Sequence, residues 1–156
     1  MSESVRTKEI YGKITAQLDA MGWKYDGDAE QNIVRSGVKI GDFYVNLVVL
    51  VKERNDVVQL LAKMPFTADD DLQVDTVMAL AVANYGLIDG SFDFDFKSKS
   101  VYFRLSECLK GCEMGGELVA YMINTAASTI EHYIPKLSDI ASGKLTLETF
   151  MDEENK

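Results

Sequence analysis

Residues 33–64 alternate apolar and polar side chains with period two, and two turns inside this stretch fix how its strands must pair. With Gly41 and Asp42 as a two-residue turn, Ile40 falls opposite Phe43, Val38 opposite Val45 and Val34 opposite Val49. With residues 53–56 as a second turn, Val51 falls opposite Val58, Val49 opposite Leu60, Leu47 opposite Ala62 and Val45 opposite Met64. Both turns put the same residues on one face, so the stretch is expected to fold as a three-strand antiparallel meander. The reverse face carries Arg35, Lys39, Asn46, Gln59 and Lys63 together with Tyr44, Val48, Leu50, Val57 and Leu61. That mixture is too apolar for a purely solvated surface. The latter five are candidate partner-binding residues, against the alternatives of ordinary scattered surface hydrophobes or a face covered by a helix or a neighbouring chain.

Helices flank the meander. Ile10, Ile14, Leu18 and Met21 recur at helical spacing over residues 4–21, and Gly22 is placed to end that helix. The acids Asp26, Asp28 and Glu30 that follow have no apolar period and are expected in an exposed connection. They resemble the start of a calcium loop, but Gly37 stands where the distal glutamate belongs. A second helix is expected from Thr67, a candidate cap, with residues 69–71 at the positive end of its dipole. Val74, Val77, Met78, Ala81, Val82 and Tyr85 form its core stripe in this reading, and Gly86 its stop. Its back, Leu72, Thr76, Ala79, Leu80 and Ala83, is uncharged too. A helix apolar on both sides is buried on both, so these five are the expected interface of a homodimer; the alternative tucks Leu72 and Leu80 under a loop of the same chain.

A two-strand hairpin comes next. With Ser98 and Lys99 at its tip, Phe96 faces Val101, Phe94 faces Phe103 and Phe92 faces Leu105, while Asp93 falls opposite Arg104 and Asp95 opposite Tyr102. The phenylalanines are expected in the core, and the aspartates keep the other face wet. The last long helix is expected over 113–134, with Leu118, Val119, Met122, Ile123, Ala126, Ile130, Tyr133 and Ile134 on one side and Pro135 at its end. The fold class is therefore α+β: helix, meander, helix, hairpin, helix. One domain is expected over 1–137, followed by an acidic tail over 138–156, loosely ordered or docked through Leu145, Leu147 and Phe150.

Composition bounds the function. The 156 residues, 47% hydrophobic and 26% charged, suit one globular domain with a real core. The 16 basic and 25 acidic residues leave a net charge of −9 and a pI near 4.6. No basic stripe runs along the sequence to offset this, so nucleic acid and anionic membranes are not expected partners. The N-terminus has no signal-peptide pattern, and the densest apolar run, residues 44–51, is too short to span a bilayer, so a cytoplasmic protein is expected.

Chemistry-bearing motifs are few. His132, the single histidine, lies on the polar side of its helix beside Ser128 and Glu131, where a solvated side chain is expected rather than an acid/base. Cys108 and Cys112 stand four apart, wider than a redox C-x-x-C and without a second ligand pair for zinc, so ordinary thiols are expected. No phosphate-cradling glycine motif occurs. No catalytic constellation, metal or cofactor is expected.

Within residues 79–106, a helix ending near Asn84 leads into a hairpin carrying Phe92, Asp95, Val101 and Arg104. This pattern resembles the YbjN-like family, whose fold is similar to that of type III secretion chaperones, and the resemblance spans roughly residues 5–135. It implies an α+β sandwich, commonly dimeric, with no catalytic residues to carry over. Chaperones of this fold bind unfolded segments of client proteins, and YbjN-like proteins are linked to regulation and stress. The expected function is a non-enzymatic protein-binding module, chaperone-like or regulatory, acting as a homodimer. The alternative is a small-molecule or metal-binding protein using carboxylates or Cys108 and Cys112.

Overall fold

A computed structural model describes residues 3–156, with side chains from Val5 onward; Met1 and Ser2, the start of the expected domain, lie outside the described residues. The elements run α1 (Glu3–Ala20), β1 (Asp26–Asp28), β2 (Ile33–Ile40), β3 (Phe43–Lys52), β4 (Val57–Thr67), a 3-10 turn (Asp70–Leu72), α2 (Gln73–Tyr85), β5 (Ser91–Asp95), β6 (Ser100–Cys108), α3 (Gly116–Ala141) and α4 (Leu147–Glu154). The strands form one antiparallel sheet in the order β1-β2-β3-β4-β6-β5. This is an α+β fold of two layers, with the helices gathered on one side of the sheet.

The meander pairs as the turns dictate. Ile40 faces Phe43, Val38 faces Val45 and Val34 faces Val49 across β2 and β3. Across β3 and β4, Val51 faces Val58, Val49 faces Leu60 and Leu47 faces Ala62. The ladder stops at Asn46 and Lys63, so the expected pair of Val45 and Met64 is not made. The pairing of β4 with β6 shifts between Lys63 and Thr67, where Pro65 has no N–H to give. The inner face is the core: Val45, Val58, Leu60, Ala62, Val101 and Phe103 are fully buried against Ile14, Leu18, Met122, Ile130 and Leu137 of the helices.

The structure corrects several boundaries. The acidic connection holds a short strand, since Asp26, Gly27 and Asp28 pair with Arg35, Val34 and Ile33. Pro65, Phe66 and Thr67 prolong β4 instead of opening a helix, and α2 starts only at Gln73 with no side-chain cap. Tertiary pairing overrides the capping pattern here: the amide of Ala68 donates to Lys99 O and that of Asp69 to Ala141 O, holding the segment extended. Pro135 does not stop α3, which continues to Ala141, so the expected domain boundary at 137 lies inside a helix. Pro135 and Glu131 are both exposed, so the helical hydrogen bond that Pro135 omits lies on the solvent side of α3. The tail is docked, with Phe150 of α4 fully buried.

The hairpin slides by two residues. Phe92 pairs with Phe103 and Phe94 with Val101, in place of the expected Phe94 with Phe103 and Phe96 with Val101. The tip is thereby four residues long, and Phe96 leaves the sheet at 65% exposure. Asp95 drives this geometry: its carboxylate accepts from the Lys97 amide at 3.0 Å and the Ser98 hydroxyl at 2.6 Å, an Asx turn that a two-residue tip has no room for. A shift of two preserves which face each side chain takes, so Phe92 and Phe94 remain on the core side.

Candidate functional site

Two surfaces stand out from a fold that otherwise buries its apolar residues. The first is the open face of the sheet, which no helix covers. Its central row crosses four strands, Arg35 on β2, Val48 on β3, Leu61 on β4 and Arg104 on β6, each paired with the next. Leu50 and Val57 continue the aliphatic strip along β3 and β4, and all four aliphatic residues are half-buried by their neighbours in the sheet. Tyr44 is 61% exposed, yet its ring lies over Gly37 of the adjacent strand, in the space any Cβ there would fill. Glycine at that position gives the tyrosine a flat seat. Gln59, which breaks the strip, is buried at 8% exposure and donates to Ser106 Oγ at 2.8 Å, so its amide is tied within the sheet.

Charge on this face is segregated. Arg35, Lys39, Lys52, Lys63 and Arg104 all sit on the outward side of the four central strands, which carry no carboxylate there. The carboxylates stand on the two edge strands: Asp26 and Asp28 on β1, Asp93 and Asp95 on β5. Asp93 is the Cα partner of Tyr102, not of Arg104 as expected, but its carboxylate reaches Arg104 diagonally at 2.9 Å. Lys63 lies over the Tyr102 ring at 6.0 Å. No basic stripe is visible along the sequence, because its members come from four strands; pairing assembles one.

The second surface is the outward side of α2, and here the two sides of the helix are exchanged relative to expectation. Thr76, Ala79, Leu80 and Ala83 are buried against the chain's own core, at 0–3% exposure. Assigning them to a dimer interface is therefore corrected: the monomer already buries them, with Thr76 bonded to Leu72 O at 2.7 Å and Leu72 packed near Gly143. Small residues fit this side because α3 and β5 press against it. The expected core stripe faces out instead: Val74 is 71% exposed, Met78 48% and Tyr85 96%. Asp75 is the one charged residue in the helix. A groove of about 350 Å³ runs between α2 and α4, lined by Met78, Ala81, Val82, Tyr85, Tyr133 and Met151. At its floor Tyr133 donates to Glu154 at 3.2 Å, and Lys136 donates to the same carboxylate at 2.9 Å. Burial first, then the Glu154 charge, raises the Tyr133 hydroxyl above its ordinary value; the hydrogen bond to Glu154 chiefly raises Lys136. These groups hold α4 to α3.

The remaining chemistry-bearing residues are dispersed or structurally engaged. Asp28 accepts from the amides of Glu30 and Gln31 at 3.1 and 3.0 Å, which makes the calcium-like run a turn. Asp56 pairs with Arg6 at 2.9 Å, and Asp70 with Lys99. Cys108 and Cys112 are exposed thiols, and exposed His132 stands edge-on to Tyr133 at 4.6 Å. Among the described residues, no three His, Cys, Asp or Glu side chains gather as metal ligands, and no helix is long and apolar enough to cross a membrane.

One residue that the sequence pattern marks but does not explain is Asn84. Its carboxamide accepts from the Phe92 amide at 2.7 Å and donates to the Phe92 carbonyl at 2.9 Å, joining the end of α2 to the sheet edge.

The fold so assembled is YbjN-like, as the resemblance implies. The crystal structure of YbjN from E. coli, described as a candidate transcription regulator, superposes with a TM-score of 0.61 at 8% identity, covering 81% of this chain and 92% of that one. The crystal structure of the ExsC-ExsE complex superposes with a TM-score of 0.55 at 13% identity, covering 81% and 93%. No family model matches the sequence, and no curated protein matches it.

Proposed function

We propose that this protein is a non-enzymatic binding module that holds a protein partner on the open face of its sheet and works as a homodimer. The observation that carries this reading is the half-exposed aliphatic strip of Val48, Leu50, Val57 and Leu61, central in a sheet whose helices all lie on the other side. Half-exposed aliphatic side chains gain by being covered, about 25 cal/mol per Å² of apolar surface removed from water. The ExsC-ExsE complex, a protein pair, contains a chain of similar fold. The engagement of Asp28, Asp56, Asp93 and Asp95 in turns and ion pairs favours binding over carboxylate chemistry. The test is affinity capture from the native cell with wild type and with Val48→Asp/Leu61→Asp, checked for an unchanged circular-dichroism spectrum. Proteins held by wild type and lost by the variant support the face; identical captures count against it.

The dimer is assigned to the outward side of α2. Val74, Met78, Ala81 and Tyr85 present no charge in a chain of net −9, and Glu154, which lines the adjoining groove, is already bonded to Lys136 and Tyr133, so two copies meeting there oppose few free carboxylates. Sedimentation of Met78→Glu/Tyr85→Glu is expected to give a folded monomer where wild type gives a dimer. A monomeric wild type would remove this part of the reading and leave the sheet face untouched.

A further inference from the structure

We infer that the partner segment received by the open sheet face is an acidic amphipathic helix, with aliphatic residues on one side and carboxylates along both flanks. This rests on the open-face reading above and adds the chemistry of what binds there. The central cross-strand row reads cation, aliphatic, aliphatic, cation: Arg35, Val48, Leu61, Arg104. Strands lie about 4.8 Å apart, so the two arginines start roughly 14 Å from one another. An α-helix with its side chains is about 10–12 Å across. A helix lying along β3 and β4 thus covers the aliphatic strip and brings its flanking residues over the cations on either side.

Helical form follows from the main chain. β3 and β4, over which the segment lies, are paired on both sides along most of their length, so a segment on their face finds no free backbone row to join. It must satisfy its own N–H and C=O groups, as a helix does. Acidic flanks follow from the charges. Arg35, Lys39, Lys52 and Lys63 make no ion pair with the described residues of their own chain. Arg35 faces Asp26 across the ladder and Arg104 is bridged to Asp93, but Lys39, Lys52 and Lys63 have no carboxylate opposite them, and this excess of cations on the face of a −9 chain attracts a partner of opposite sign.

The same basic face does not favour a nucleic acid. Asp26, Asp28, Asp93 and Asp95 line both edges of the sheet, and a phosphate backbone longer than the face has to pass over one of those rims. A short helix lies wholly inside them. Nor is a second copy of this chain the better occupant. Its own acidic helix, α4, is pinned by fully buried Phe150.

Fluorescence anisotropy tests the inference with a labelled peptide of about 18 residues, some 27 Å of helix, carrying leucines on one face and glutamates on both flanks. The same peptide with lysine in place of glutamate and a single-stranded oligouridine serve as comparisons. Wild type is expected to bind the glutamate peptide, more weakly as salt is raised, and to bind neither comparison. Arg35→Glu/Lys63→Glu, folded by circular dichroism and denaturation midpoint, is expected to weaken binding at least about tenfold. No binding of the glutamate peptide, equal binding of the lysine peptide, preference for the RNA, or indifference to the charge reversal each overturns the acidic-helix inference. If Val48→Asp/Leu61→Asp abolishes peptide binding while the charge reversal leaves it unchanged, the open face stands and its preference for acid falls. If neither variant changes it, both readings fall.

Discussion

The carboxamide of Asn84 occupies both backbone groups of Phe92, accepting from its N–H at 2.7 Å and donating to its C=O at 2.9 Å. β5 is an edge strand, and an edge presents unpaired N–H and C=O groups that invite another chain. The asparagine carboxamide sets an N–H donor beside a C=O acceptor at the right separation to imitate a neighbouring strand for one residue. Asn84→Ala leaves two part-buried backbone groups unpaired and is expected to lower the unfolding free energy by about 1–3 kcal/mol. Guanidinium titration measures this; a loss below about 0.5 kcal/mol would show that water replaces the clamp at little cost.

Arg6 ties three segments together. Its guanidinium pairs with Asp56 in the β3–β4 turn at 2.9 Å and donates to the carbonyls of Leu109 and Cys112 beyond β6. Arg6→Met should cost about 1–3 kcal/mol and release the 109–112 loop, so that Cys112 alkylates faster with iodoacetamide by mass spectrometry. Arg6→Lys should rescue it poorly, because an ammonium lacks the planar fork that serves several acceptors at once. Equal alkylation rates in all three proteins would sink this account.

Phe150 is fully buried with the Lys136 ammonium 5.9 Å from its ring centroid, so the last helix belongs to the core. Phe150→Ala is expected to cost about 3–5 kcal/mol through lost transfer energy and the cavity left behind. Thermal unfolding followed separately at α4 and in the sheet should stay one transition in wild type. An early, separate melting of α4 would mean that the tail is only loosely attached.

The Ser98 hydroxyl first, then the Lys97 amide, holds the Asp95 carboxyl below its ordinary value of 3.8. A depressed carboxylate stabilises the folded chain above its ordinary value, and that contribution is lost as pH falls through the depressed one. Ser98→Ala should move the Asp95 titration upward, read by carbon NMR of the carboxyl. An unmoved titration would show that the tip does not depend on this hydrogen bond.

How far the sequence reached depended on whether local chemistry broke a symmetry. In the meander it did: turn lengths at Gly41–Asp42 and 53–56 fix register, and a slip of one residue would turn every valine to the wrong face. In the second hairpin it did not. A slip of two leaves the apolar pattern unchanged, so only the Asx turn of Asp95 chose between Phe92 and Phe94 as the partner of Phe103. The open face was legible as a set of residues, Tyr44, Val48, Leu50, Val57 and Leu61, though its charge pattern was not. Arg35 and Arg104 are 69 residues apart in the chain and come into one row only when β4 is inserted between β3 and β6.

The sharpest contrast is α2. From Gln73 to Tyr85 the residues determine a helix with one charge and two apolar sides, and nothing in that periodicity says which side is inward. Packing decided it. α3 and β5 approach too closely for the bulkier side, so Thr76, Ala79 and Ala83 go in and Met78 and Tyr85 stay out. Periodicity and turn chemistry, which act over a few residues, thus determined the main helices and strands, though not β1, α4 or the ends of α2 and α3, and the meander register from sequence alone. The facing of α2, the assembly of the basic row and the docking of Phe150 needed contacts between distant segments, which exist only once the chain has folded.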